Sequence, residues 1–460
     1  MAQIYSNGTG GGDWSAGATW GGGSVPSSSD EVFVLNGDTV TVDASADWDG
    51  DGQSITIEGT LTVASTAGGW SLSGVTVYLY ATGTLDINVD LTIDSSVAGE
   101  VGVGAGTFTC AASLTVEATA SFADFITDGG TLTFDATSGT PTLTTNGVTL
   151  PGFTVNNNGV TSFEAADAVT ASSWKMTAGK YNDGGFAHNI AGDILDEGGS
   201  LVSTGVWTMT ANGEVEGGTF TELAIAAGVT ATITENTVAV RLSGGGDLSS
   251  SGVQSFFLAA SEHDAYQLTG SIGSNVVFRL FASGAYRTGK PIIAGGIVRV
   301  YYSSDTQPIL TGGLQVSGQI QVGTSNHGSL ATGGANVDAR SDIIVGSTDA
   351  GDTHTLDLGT GTHRLAGTLS AVAQSTTTLA LNQCRIFNAG TIDGADFDSI
   401  TAGYGAEVIG GTVQNVTLAS GTLRCYGSTD GGGNDANVLF FNSAPPRRLL
   451  GHGHPLVEAA

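Results

Sequence analysis

The chain reads as all-β: a right-handed parallel β-helix, or solenoid, with a repeat of about 23 residues per coil, an N-terminal cap and a C-terminal tail. Three observations predict this. In residues 54–63, SITIEGTLTV, the apolar Ile55, Ile57, Leu61 and Val63 share one parity and Thr56, Glu58, Thr60 and Thr62 hold the other, the pattern of a half-buried strand broken at Gly59. A Gly-Thr-apolar step returns at Gly83, Gly106 and Gly130, at spacings of 24, 23 and 24, and late in the chain at Gly367, Gly390 and Gly411, spaced 23 and 21. A steady period with β-type alternation inside each unit marks a solenoid. Finally, the 72 glycines follow no three-residue rule, which excludes collagen, and a 40% hydrophobic content argues against disorder. A left-handed hexapeptide helix would show an 18-residue period, so the right-handed form with three short strands per coil is favoured.

Residues 1–45 differ from the rest. Trp14 and Trp20 sit in a glycine-rich run, and SVPSSSDEVFVLNGDTVTVD gives two short strands around the turn Asn36-Gly37. An aromatic-rich segment is expected as a cap, because the end of a solenoid exposes an open layer of core and backbone donors. The run Trp14, Thr19-Trp20, Gly23, Val25-Pro26, Asp30, Gly37 and Val40-Thr41-Val42, ahead of an I-x-G-x-L strand, resembles the start of the eight-glycine domain. It is also similar to the opening of phage fibre proteins and bacterial adhesins built on right-handed parallel β-helices. This part of the resemblance covers about 55 residues and implies the fold rather than an activity.

Regular coils are expected over residues 46–255, where Leu85, Ile87, Val89, Leu91 and Ile93 alternate with Asp86, Asn88, Asp90, Thr92 and Asp94. Within 141–195 the text resembles the degenerate repeats of bacterial surface and phage structural proteins of this type. Residues 256–311 break the composition with Phe256, Phe257, Tyr266, Phe278, Phe281, Tyr286, Tyr301 and Tyr302, and with Arg279, Arg287, Lys290 and Arg299. Coil text resumes over 312–442. In 443–460, Pro445-Pro446 ends strand pairing, and Arg447-Arg448 is the one adjacent basic pair of the chain. That tail is expected to be an attachment peptide.

The net charge of −30 reflects a shortage of cations: 43 acidic residues face 13 basic ones, and Lys175 is the first Lys or Arg. Such a body makes nucleic acid and anionic membrane poor partners and repels its own copies in solution. No window approaches 18 apolar residues, so no transmembrane insertion is expected. The opening MAQIYSNGTGGGDWS lacks a basic n-region and an apolar h-region, which points away from a classical signal peptide and toward release by lysis, as for virion proteins. Cys110, Cys384 and Cys425 read as small buried residues.

Candidate sites follow from side-chain chemistry. Asp47, Asp49 and Asp51, with Gly52 and Glu58, match the spacing of a twelve-residue calcium loop, although no helical pattern flanks them and an acidic turn explains them too. Calcium is the one cofactor the chain suggests. Glu262-His263-Asp264 supplies acid and base types for glycoside cleavage, but three sequence neighbours do not make a pair of carboxylates across a bond. The aromatic and basic band, with Tyr266, Arg279, Tyr286, Arg287, Lys290 and Tyr301, reads as thickened core, subunit interface or glycan-binding face. His452 and His454 could bind metal, but two histidines spaced by one glycine in a tail have simpler explanations.

These readings converge on a virion protein of a tailed phage: a trimeric tail fibre, spike or capsid-attached appendage. Its partners would be other virion proteins and a host glycan, and the sequence leaves an enzymatic role open. The alternatives are a polysaccharide depolymerase on the same fold and a surface adhesin.

Overall fold

The computed structural model describes residues 2–43, 48–64, 67, 69–94, 100–101, 106–118, 120, 122, 129–157, 162–260, 266–282, 287–288, 291–302, 309–310, 313–323, 328–332 and 334–442. They form an all-β parallel solenoid of about 15 turns, about 22 residues each. Among the described residues helical geometry is confined to 3-10 positions, the turn Gly17–Thr19 and Ala67. No helix among them is long and apolar enough to cross a membrane. The chain divides into two compact units, Met1–Val298 and Arg299–Ala460.

In the first unit each strand pairs in parallel with the strand one coil away, because the chain turns a corner between sheets instead of reversing. One ladder runs through Gly11–Asp13, Thr39–Val42, Thr60–Val63, Thr84–Ile87, Thr107–Cys110, Thr131–Phe134, Phe153–Asn156 and Trp174–Ala178. A second runs through Gln3–Tyr5, Glu31–Val34, Trp48–Ile57 and Trp70–Leu79, and a third opens at Thr149–Leu150 and continues through Val169–Ala171, His188–Ile190 and Val206–Met209. The turn at Asn36-Gly37 is one such corner, since the strands beside it belong to different ladders. Residues 3–42 therefore already lie in register with the coils that follow. The edge of Gln3–Tyr5 is covered by the chain folding back, with an antiparallel bridge from Ser6 to Trp20. There Trp14 and Trp20 pack edge to face at 4.9 Å.

The alternation in the sequence builds the core. Val40, Leu61, Leu85, Phe108, Leu132, Phe153, Trp174, Ile194, Val215 and Ile233 stack directly above one another, and all are buried. Ile57 and Ile87 join them. On the opposite parity, Thr39, Thr60, Thr84, Thr107 and Thr131 form a row of half-exposed or exposed threonines on the outer face. Asp86 is half-buried and accepts a bond from Thr109 Oγ1 at 3.0 Å. Thr56 departs from the expected exposure: its ladder neighbours are Phe33 and Tyr78, and beside two rings it is buried. Coil length is not constant. Leu85 stacks on Leu61 after a step of 24, whereas Ser250 stacks on Ile233 after a step of only 17. The inward set keeps its parity through that change, apart from a one-residue register shift after Val155; corner length does not stay constant.

The recurring Gly-Thr step has a steric cause. A Cβ on Gly59 would lie 2.3 Å from Leu35 O, and one on Gly83 2.1 Å from Ile57 O, so each corner rests on the backbone of the coil before it. Gly83→Ala must push that contact apart, and a loss of about 1–3 kcal/mol is expected from such overpacking. Thermal melts of the variant check it.

In the second unit, Leu314–Val316, Val337–Ala339, Thr362–Leu365, Arg385–Asn388, Glu407–Ile409, Leu423–Tyr426 and Val438–Phe441 form one ladder. Gly328–Ala331, Thr353–Asp357, Thr376–Ala380, Ser399–Thr401 and Leu418–Ser420 form another. The core between them contains Leu356, Leu379, Ile400, Ile386, Val408 and Leu423.

Candidate functional site

The compositional band divides by strand parity. Phe256, Leu258, Tyr266 and Phe278 face inward and are buried, with Phe256 and Phe278 stacked at 5.9 Å and Tyr266 edge-on to Phe278 at 5.8 Å. Tyr266 is thus core packing, out of reach of a surface ligand, and burial pushes its hydroxyl above the ordinary tyrosine range. Arg279 stands on the outer face, half-buried, its guanidinium 4.8 Å from the centre of the Phe257 ring beside it in the ladder. Arg287 and Tyr301 lie on the strands Arg287–Thr288 and Val298–Tyr302. Tyr286, Lys290 and residues 262–264 lie outside the described residues, as do Asp47, Arg447 and Arg448. Asp49 and Asp51 fall on the strand Trp48–Ile57, where the ladder register shifts between Asp49 and Gln53.

Composition gives little warning of a dense polar cluster, which is buried in the first unit. The turn Asp183-Gly184-Gly185 places the Asp183 carboxylate in the core, where it accepts bonds from the backbone N–H of Gly185 (2.9 Å), Thr204 (2.9 Å) and Gly205 (3.0 Å) and from Trp207 Nε1 (3.0 Å). Burial raises its pKa, but these donors outweigh burial and hold the carboxyl below its usual range. His188 stacks on Trp207 at 4.4 Å. Its Nδ1 lies 3.1 Å from Phe186 O, which can only accept, so Nδ1 carries the proton and Nε2 accepts from the Tyr181 hydroxyl at 2.7 Å. Burial lowers the pKa of His188, against the pull of Asp183 and Asp167. Tyr181, Asp183 and His188 are all buried. Their partners satisfy them within the core, which makes the cluster a structural lock.

An accessible arrangement lies on the second unit, at a corner where successive turns stack. Asp357 Oδ1 accepts from Gly359 N and from Asn382 Nδ2, tying two turns together. The third turn rests on Asn382: a Cβ on Gly403 would lie 2.5 Å from Asn382 O, and Gly405 has φ of +92°. That turn holds Tyr404, 82% exposed, with the Arg424 guanidinium 5.9 Å from its ring centre. Beside it Thr362, Arg385, Glu407 and Arg424 follow one another up the outer face of the ladder. Glu407, almost fully covered, receives Arg385 Nε at 2.9 Å and a terminal guanidinium nitrogen at 2.8 Å. Thr360, Thr362, Gln383, Arg385, Tyr404 and Glu407 line a concavity of about 270 Å³.

A parallel row on the same face holds Arg364, Phe387, Ile409, Tyr426 and Phe441. Phe387 and Phe441 are 42% and 40% exposed, and Tyr426 stacks on Phe441 at 5.0 Å. A neighbouring concavity of about 410 Å³ lies between Arg364, Phe387 and Ile409. Among the described residues no group of three His, Cys, Asp or Glu side chains is placed to hold a metal ion. Compared with protein-family models, with curated proteins and with solved structures, the chain matches none.

Proposed function

We propose that the chain is a structural virion protein of a tailed phage, a fibre, spike or capsid-attached appendage, whose solenoid carries an exposed surface toward the host. The observation that carries this reading is the in-register ladder itself: a continuous apolar core under an outer face of threonine and acidic residues, in a chain with no Lys or Arg before Lys175. A body of this kind is rigid, soluble and assembled from repeats. The resemblance of residues 1–55 to phage fibre and adhesin openings supports the virion setting. The partners in this reading are other virion proteins, with a trimer as the working oligomer and the tail beyond Asn442 as the attachment peptide.

Mass spectrometry of purified virions is expected to find the chain at stoichiometric level; its absence from the particle removes the reading. Deleting residues 443–460 is expected to leave the far-ultraviolet circular dichroism unchanged while reducing incorporation several-fold. Unchanged incorporation would remove the attachment role of the tail. Release of oligosaccharides from host capsule by the purified chain would favour the depolymerase reading instead.

A further inference from the structure

From the corner at Tyr404 we infer that the outer face bearing Thr362, Arg385, Glu407 and Arg424 is a binding site for an acidic polysaccharide. This deepens the appendage reading by naming what its surface would hold, and it rests on that reading only for its biological setting.

A sugar ring offers weakly positive C–H groups on one face and hydroxyls around its edge. The first needs the negative face of an aromatic ring, and the second needs fixed donors and acceptors. Tyr404 supplies the platform: Arg424 lies against its ring, yet 82% of the residue is open to solvent. The turn beneath it is fixed by the approach of Gly403 to Asn382 and by the Ala406 N–H donating to Gly403 O at 3.1 Å. Little freedom is then lost when a ligand lands on the ring. Gln383, Thr360 and Thr362 line the adjoining concavity with amide and hydroxyl groups suited to a sugar edge.

Charge selects the class of sugar. Arg364, Arg385 and Arg424 are three of only 13 basic residues, and they stand within four successive rungs of one face, with the Glu407 rung between the last two. Against them stand Glu407, Asp338, the ladder neighbour of Arg364, and Asp357 at the corner, so three cations balance three anions here on a chain of net −30. Arginine binds carboxylates in a planar, two-pronged manner. Geometry also favours a repeating ligand. Rungs recur at about 4.8 Å, close to the length of one sugar residue, and the second row, through Phe387, Ile409 and Tyr426, continues the platform along the same direction.

The test uses the full purified chain on an array of acidic and neutral oligosaccharides, followed by titration calorimetry with the best acidic hexasaccharide. Binding of acidic members, weakened by salt, is expected. Tyr404→Ala should weaken it at least tenfold and Arg424→Gln several-fold, with melting temperature unchanged because both residues lie on the surface. Retention of no acidic oligosaccharide, equal retention of neutral ones, or affinity unchanged in both variants would overturn the proposal. So would self-association abolished by Tyr404→Ala without glycan binding, which would assign the face to a second copy. Virion mass spectrometry is independent of all these outcomes, so failure here and failure of the virion reading remain distinguishable.

Discussion

Asp183→Ala is expected to be the most damaging single substitution outside the apolar stack, destabilising the first unit by roughly 4 kcal/mol or more, since each buried donor left unpaired costs about 1–3 kcal/mol. Five donors lose their acceptor at once: the N–H groups of Gly185, Thr204 and Gly205, the Thr204 hydroxyl and the indole of Trp207. They lie on two consecutive coils, so the carboxylate links one turn of the chain to the next. Asp183→Asn keeps one acceptor oxygen but turns an NH2 toward other donors, and an intermediate loss is expected. Urea denaturation followed by tryptophan fluorescence reads both, because Trp174 and Trp207 pack at 5.0 Å beside the cluster. An Asp183→Ala protein as stable as the parent would show that the carboxylate is dispensable.

Acid is expected to weaken the second unit by about 3 kcal/mol between pH 7 and pH 4 through His363 alone, a pKa unit being worth about 1.36 kcal/mol. His363 is buried, its Nε2–H donating to Leu358 O at 2.8 Å and its Nδ1 accepting from Val337 N–H at 3.2 Å. Burial depresses its pKa from 6.5 to about 4, against the smaller pull of the Leu358 carbonyl. The sign follows directly. The unfolded chain takes up a proton below about pH 6.5 while the folded one refuses it until about pH 4, so stability is full above 6.5 and falls across that window. His188 acts in the same direction in the first unit. Asp183, held below its ordinary value, adds its loss only at lower pH, as the solution passes through the carboxylate range. Asp135 and Asp196, both raised mainly by burial, act in the opposite direction near their own titration. The comparison that isolates the histidine is therefore with His363→Gln, whose stability should be flatter between pH 7 and 4. An equal slope in both proteins would refute the assignment.

Much of the fold is written in parity. Ile57, Leu61, Leu85, Ile87 and Leu132 are identifiable as core because alternation requires only neighbours two positions apart, and a corner glycine resting on backbone recurs from coil to coil. Parity also explains where composition misleads: Tyr266 and Arg279 belong to one aromatic and basic band, yet Tyr266 faces the core and Arg279 the outer face. The candidate site was not legible, for a geometrical reason. The steps from Thr362 to Arg385, from Arg385 to Glu407 and from Glu407 to Arg424 all differ, the last being much the shortest, so no fixed period brings the row into alignment. Tyr404 sits in a turn, where alternation carries no information. The buried network of Tyr181, Asp183 and His188 was hidden because polar residues near Gly184-Gly185 look like any solvated turn.

The shortening of the coil between Leu61–Leu85 and Ile233–Ser250, while the stacked apolar set stays inward, separates what the chain must keep from what it is free to change. Inserting one residue within a strand would turn its inward set outward. Inserting several at a corner leaves every ladder partner in place and costs only a little extra loop entropy. Corners are therefore where sequence drift is least penalised, and replication slippage that copies a whole coil adds a rung without disturbing the others. Exposed side chains of the Tyr404 kind can be gained, lost or exchanged at such positions while the apolar stack beneath stays unaltered, so surface chemistry and architecture can vary independently.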